Sequence, residues 1–120
     1  MTLNWEKYSD STDEDHRKIC GVDMVSLAHE YGTPLYVLFE DIIRENFLKY
    51  RNALEKEYEN NLVCYAVKAN TAFEILKLLA GSGSGADVAS EYELRIALDA
   101  GIPLEKIRAN GNCKNNSYKR

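Results

Sequence analysis

Short apolar segments alternate along this chain with segments of helical period, and this alternation limits the folds open to it. Three apolar runs bounded by turn residues cover positions 62–67, 86–89 and 107–109. Between them, apolar residues recur at three- and four-residue steps, as in a helix that buries one face. Strands alternating with helices at this spacing form βαβ units with parallel strands. The sequence therefore predicts an α/β fold.

Local signals predict where the first elements begin and end. Asp23 has the residue type and position of a helix cap, and Gly32 is placed to end that helix in the left-handed conformation. The apolar run 35–38 follows a Thr-Pro pair, which favours extended backbone, and is predicted as a short strand. Asp41 is predicted to cap a longer helix.

Two pairs of residues have the spacing of a capping box, in which a side-chain hydroxyl and a carboxylate each accept a hydrogen bond from a backbone N–H at the start of a helix. They are Thr71-x-x-Glu74 and Ser90-x-x-Glu93. Each predicts a helix. For Ser90 and Glu93, capping explains the residue types without any catalytic role.

Composition and charge exclude several classes of function. The chain carries 15 Lys and Arg against 19 Asp and Glu, a formal net charge of −4, which disfavours nucleic acid as a partner. No apolar run approaches the roughly 18 residues of a membrane span, and residues 1–20 read as a polar, exposed arm without a signal-peptide core. Cys20, Cys64 and Cys113 form no CxxC pair, so we expect no zinc site and a reducing cytoplasm.

Lys68 is the unusual residue, because it directly follows an apolar strand segment. Strand alternation would place Cys64, Ala66, Lys68 and Asn70 on one small face, opposite a bulky face that packs against helices. In a barrel, the small face lines the lumen and its carboxyl end forms the active site. Partial desolvation there would lower the pKa of the lysine and make its amine a nucleophile. Alternatively, Lys68 pairs with an acid such as Asp87 or extends into solvent, and periodicity leaves these options open.

The hexapeptide Tyr65-Ala66-Val67-Lys68-Ala69-Asn70 resembles the pyridoxal-phosphate lysine motif of the ornithine/diaminopimelate/arginine decarboxylase family. Further segments resemble that family in order and spacing and extend the similarity over roughly residues 21–114. They are Tyr31–Val37, Ile75–Ala80, Gly85–Ser90, Glu93–Leu94 and Gly111-Asn112-x-Lys114. Within the family, the first and third of these are most similar to the members that act on diaminopimelate.

The resemblance implies a fold and a division of the chain. It implies the N-terminal portion of a (β/α)8 TIM barrel of the alanine-racemase-like type, over residues 21–120. Such a barrel takes about 250 residues, so 120 residues cannot complete it. The full-length parent would be a homodimer.

The resemblance also implies an activity and its residues. The activity is pyridoxal-phosphate-dependent decarboxylation of an amino acid, meso-2,6-diaminopimelate, to L-lysine and CO2. Lys68 would carry the cofactor, Ala66 would lie against it, and Asp87 would help to position Lys68. Asn112 and Lys114 are interpreted as rim residues.

Three alternatives are open: an ornithine- or arginine-type decarboxylase, a non-catalytic pyridoxal-phosphate-binding protein, and an inactive truncated product. The segment 71–74 after Lys68 departs from the pattern of alanine racemases, which disfavours a racemase. In the family, the acid at the pyridine nitrogen, the stacking histidine and the phosphate site lie further downstream. We therefore expect this polypeptide alone neither to decarboxylate nor to hold the cofactor tightly.

Overall fold

The computed structural model describes residues 18–111, which divide between Phe39 and Glu40 into two compact units. Of the arm predicted for residues 1–20, only the last three residues are described. In the first unit, a short antiparallel hairpin leads into one helix. Its elements are β1 (Lys18–Ile19), β2 (Val22–Asp23) and α1 (Met24–Tyr31).

The predicted ends of α1 are confirmed. Oδ1 of Asp23 accepts hydrogen bonds from the backbone N–H of Val25 at 2.9 Å and of Ser26 at 3.1 Å. Gly32 follows the helix with a φ of +81°, which favours glycine. The strand predicted over 35–38 is wrong: these residues form no ladder with any described strand. An extended segment becomes a strand only where a neighbour supplies backbone partners.

The second unit is a three-stranded parallel sheet with helices packed on it. Its elements are α2 (Glu40–Glu55), β3 (Cys64–Ala66), α3 (Phe73–Gly81), β4 (Gly85–Val88), α4 (Glu91–Asp99) and β5 (Ile107–Ala109). The strand order is β3-β4-β5, and both pairings are parallel. The βαβ organisation predicted from the alternation is confirmed. Among the helices within residues 18–111, none is long and apolar enough to cross a membrane.

One face of the sheet forms the main hydrophobic core. Side chains of β4 pack there with Leu76 of α3 and Ala97 of α4, which are both fully buried. A second cluster joins α3 to α2 through Phe47, Ile75 and Leu79. Helix α3 thus buries two sides and lies between the sheet and α2.

Two predicted helix starts are wrong in detail. Helix α2 begins at Glu40, so Asp41 lies in its first turn, where its charge favours the positive end of the helix dipole. Helix α3 begins at Phe73, and Thr71 does not cap it. The preceding turn is organised instead by Asn70, whose Oδ1 accepts from the backbone N–H of Ala72 at 2.9 Å.

The helix start predicted at Ser90 is confirmed, although Glu93 bonds to the residue before the cap rather than to the cap itself. The Oγ of Ser90 accepts from the backbone N–H of Glu93 at 3.2 Å. The carboxylate of Glu93 reaches back to the backbone N–H of Ala89, at 2.8 Å. Both residues are therefore explained by the start of α4, directly after β4.

Gly85, the first residue of β4, offers a test of this packing. A Cβ at this position would clash with the backbone oxygen of Lys106 and would lie 2.8 Å from the Sγ of Cys64. Because the backbone oxygen cannot move without distorting the sheet, Gly85→Ala should lower the free energy of unfolding by about 1–3 kcal/mol. Urea denaturation of the full-length protein measures this change.

Gly81→Ala is the matched control. Nothing lies within 4 Å of a Cβ built on Gly81, which ends α3 without a positive φ. Restricting the unfolded chain should raise stability there by about 0.4–1 kcal/mol. Equal stability of the two variants would contradict the close packing of β4.

Candidate active site at the carboxyl end of the sheet

The face of the sheet opposite the core carries small side chains, as predicted. Tyr65 packs on the core and Ala86 and Val88 lie within it, so strand alternation directs their neighbours to the other face. Those neighbours are Cys64 and Ala66 on β3, and Gly85 and Asp87 on β4. Ala66 and Asp87 are partners in the parallel register. A methyl group and a carboxylate therefore lie side by side near the carboxyl ends of the strands.

Lys68 lies just beyond this face rather than on it. Strand β3 ends at Ala66, and Val67–Ala69 form a 3-10 turn. The prediction that strand alternation continues through Lys68 and Asn70 is therefore wrong. Val67 is fully buried, whereas Lys68 is exposed. The desolvation predicted for the lysine is not found within the described residues.

Asp87 and Lys68 are not joined by a hydrogen bond or an ion pair within residues 18–111. The role predicted for Asp87 in positioning Lys68 stays a prediction. Asp87 is half-buried in the central strand, between Ala66 on one side and Arg108 on the other. Its carboxylate therefore lies on the small face of the sheet with a cation as its register partner.

Arg108 is a charged residue of this face that the sequence interpretation missed. Ile107 packs against the core, so alternation along β5 directs Arg108 to the face of Asp87. Its Nη1 donates to the backbone oxygens of Glu105 at 2.8 Å and of Ile107 at 3.1 Å. The apolar–charged–apolar order of β5 was the signal that could have identified it.

The charges of Arg108 and Asp87 both affect the pKa of Cys64. Burial raises the pKa of its thiol above the usual value, the positive charge of Arg108 opposes that rise, and the negative charge of Asp87 adds to it. The Sγ donates a long hydrogen bond to the backbone oxygen of Lys106, at 3.8 Å. A half-buried thiol that holds its proton behaves as a small hydrophobic residue rather than as a nucleophile.

Two further residues missed by the sequence interpretation bound the turn that carries Lys68. The hydroxyl of Tyr65 donates to the backbone oxygen of Asn70 at 3.2 Å. The side chain of Asn70 in turn accepts from Ala72, before α3. Both residues stand within the hexapeptide, but no spacing rule links a phenol to a carbonyl five residues later. The rim residues predicted at Asn112 and Lys114 lie outside the described residues.

Comparison with known proteins identifies the family. Residues 40–120 match the family described as "Pyridoxal-dependent decarboxylase, pyridoxal binding domain". The chain is 45% identical over 100 residues to the diaminopimelate decarboxylase of Methanothermobacter thermautotrophicus, covering 83% of this chain and 23% of the relative.

Solved structures agree. Diaminopimelate decarboxylase of Methanocaldococcus jannaschii superposes with a TM-score of 0.85 at 40% identity, covering 93% of this chain and 26% of that one. The same enzyme in co-complex with L-lysine gives a TM-score of 0.83 at 40% identity, covering 92% of this chain and 26% of that one.

The chain belongs to the pyridoxal-dependent decarboxylase family, as its motifs indicated. It spans about a quarter of the length of the relatives that it matches. The predicted fold class is confirmed: the parallel strands and helices are the N-terminal portion of a (β/α)8 barrel of the alanine-racemase-like type. The matched domain is a pyridoxal-binding one.

The opposing charges around Cys64 give a test of the arrangement of this face. Arg108→Ala should raise the pKa of the Cys64 thiol further, because a stabilising cation is lost. Asp87→Asn should lower it, because a repelling anion is lost. At a fixed mildly alkaline pH, alkylation of Cys64 should therefore slow in the first variant and quicken in the second.

Alkylation followed peptide by peptide across a pH series separates Cys64 from the other cysteines. Asp99→Asn is the control, since its carboxylate lies on α4 and is not among the charges that act on Cys64. Shifts in the same direction for Arg108→Ala and Asp87→Asn would contradict the shared face.

Proposed function

We propose that the protein carrying this chain is a pyridoxal-phosphate-dependent decarboxylase that converts meso-2,6-diaminopimelate to L-lysine and CO2. The observation that carries the proposal is the 45% identity to a diaminopimelate decarboxylase across 83% of the chain. The co-complex of the M. jannaschii enzyme with L-lysine supports an amino-acid ligand of this kind. We propose Lys68, Ala66 and Asp87 as the residues of this chain that meet the cofactor.

The residues at the carboxyl end of the sheet fit such a cofactor. Pyridoxal phosphate supplies an aldehyde that bonds to an amine, and a ring that accepts the electron pair left when CO2 departs. Lys68 offers an exposed primary amine at the end of the strands where barrel enzymes bind their ligands. Ala66 offers only a methyl group, too small to obstruct a flat ring beside the turn that carries Lys68.

Asp87 supplies the negative charge on this face. Because the carboxylate is half-buried, water screens it less than it would a fully exposed group. It attracts ammonium groups, both that of Lys68 and the α-ammonium of an amino acid. Arg108, its register partner, offsets part of that field and offers a cation to a carboxylate. The face can thus orient a ligand that carries both charges.

Lys68 can exchange partners because no described residue holds its amine. In the absence of cofactor, the ammonium is solvated, and it must lose a proton before it can attack a carbonyl. The carboxylate of Asp87 lies on the neighbouring strand, as the register partner of Ala66. We propose that Asp87 orients the incoming amine and that Lys68 transfers protons at the substrate α-carbon.

A non-catalytic pyridoxal-phosphate-binding protein would use the same lysine, so CO2 release separates the two functions. The relatives reported above are diaminopimelate decarboxylases, which favours that substrate over ornithine or arginine. The homodimer, the cytoplasmic location and the boundaries of the arm stay predictions.

Replacing Lys68 tests the proposal. In the full-length protein carrying Lys68→Ala, borohydride reduction should leave no cofactor attached at position 68. The same change should lower CO2 release from meso-diaminopimelate by at least about 100-fold. Mass analysis of the peptides locates the reduced cofactor. Isotope-labelled diaminopimelate, ornithine and arginine, assayed side by side, identify the substrate.

Lys77→Ala is the matched control, because Lys77 is an exposed lysine on α3, away from the small face. It should keep both the reduced adduct and the activity. Full CO2 release by Lys68→Ala, or an adduct on another lysine in the wild type, would refute the assignment. Cofactor bonded to Lys68 without CO2 release from any of the three amino acids would refute the decarboxylase.

A further inference from the structure

We propose that Tyr65 and Asn70 are positioning residues that brace the backbone on both sides of Lys68. The proposal rests on the proposed role of Lys68 as the cofactor lysine. We call residues 67–72, between β3 and α3, the lysine turn. In this arrangement the backbone of Lys68 stays in place while its amine moves between partners.

The lysine turn needs such a brace because regular structure does not provide one. Strand β3 has already ended, and the 3-10 turn Val67–Ala69 has poorer hydrogen-bond geometry than a helix. The Lys68 side chain is exposed and is not joined to Asp87 within the described residues. A reacting amine misplaced by about 1 Å can cost on the order of 100-fold in rate. Some other interaction must therefore fix the Cα of Lys68.

The first half of the brace is the phenol of Tyr65. Its ring packs against both the sheet cluster and the α2–α3 cluster. Its hydroxyl then donates to the backbone oxygen of Asn70 at 3.2 Å and closes the turn from strand to helix. Burial raises the pKa of this phenol above its usual value, and the bond to Asn70 opposes the rise. The hydroxyl therefore keeps its proton for donation at neutral pH.

The second half is the side chain of Asn70. Its Oδ1 accepts from the N–H of Ala72 at 2.9 Å, the two-residue step of an Asx turn. Ala72 is the residue at which α3 is capped, and it has no side-chain oxygen of its own. Asn70 thereby ties the end of the lysine turn to the start of α3. Its main chain and side chain serve the two bonds separately.

The buried side chain of Val67 completes the arrangement. It is 0% exposed in the sheet cluster, directly before Lys68. Lys68 is thus flanked by a residue held in the core and, two positions later, by a residue bonded on both its backbone and its side chain. The bonds of the brace leave the lysine side chain free. This combination suits a residue that must break and re-form a covalent bond at one place.

Hydrogen exchange in the absence of cofactor tests the brace without relying on activity. In the full-length protein, Tyr65→Phe keeps the ring in the core but removes the donor, and Asn70→Ala removes the side-chain acceptor. Each should quicken amide exchange in the lysine turn by about 2- to 12-fold, the value of one hydrogen bond. Asn70→Asp retains an acceptor oxygen and should restore the slow exchange. Amides of β4 should keep their wild-type rates.

Pyridoxal phosphate added to the same variants should bond to Lys68 more slowly than in the wild type, by a similar factor. Borohydride reduction at timed intervals measures this rate. Tyr92→Phe is the control for Tyr65→Phe, since Tyr92 lies exposed on α4. If Tyr65→Phe does not fold, the pair Asn70→Ala and Asn70→Asp decides the question.

Wild-type exchange and bonding rates in both Tyr65→Phe and Asn70→Ala would overturn the brace. Faster exchange spread equally over β4 and α4 would also overturn it, since that would show a general structural role. An adduct on a lysine other than Lys68 in the wild type would refute the proposed function instead. The exchange measurements on the lysine turn would still hold for the brace itself.

Discussion

The backbone pairing of β3 with β4 determines where Cys64, Ala66 and Asp87 of the candidate site lie. The register sets Cys64 against Gly85 and Ala66 against Asp87. The pairing begins one residue before β3, where the backbone oxygen of Val63 accepts from the backbone N–H of Gly85 at 2.9 Å. A shift of one residue would turn Asp87 into the core and would bring a valine or an alanine to the exposed face.

Much of this organisation could be predicted, because it follows from short-range rules. The apolar runs gave the strands, and the Ser90 and Asp23 caps are local bonds that residue type and spacing specify. The end of β3 could not be placed. Val67 is apolar and buried, and a strand and a 3-10 turn both satisfy that, so the sequence pattern does not distinguish them. The face of Lys68 depends on this one choice.

The other wrong predictions near the site also concern positions where residue type and spacing allow more than one structure. Thr71 has the right spacing for a cap, but Asn70, one residue earlier, accepts the hydrogen bond from the backbone N–H of Ala72. Parallel pairing predicts that Asp87 lies beside β3, whereas its position relative to Lys68 depends on the geometry of the turn after β3. Arg108 became relevant only when the β4–β5 register placed it beside Asp87. Sequence patterns identify residues and faces, and long-range register decides which of them meet.

The ring of Tyr65 has a mechanical consequence. It is the side chain that packs on both hydrophobic clusters and also bonds to the turn beyond β3. A change in how α2 packs on α3, for example at Phe47, would therefore shift this ring and with it the turn that carries Lys68. The packing of α2 on α3 is thereby coupled to the position of Lys68 through one side chain.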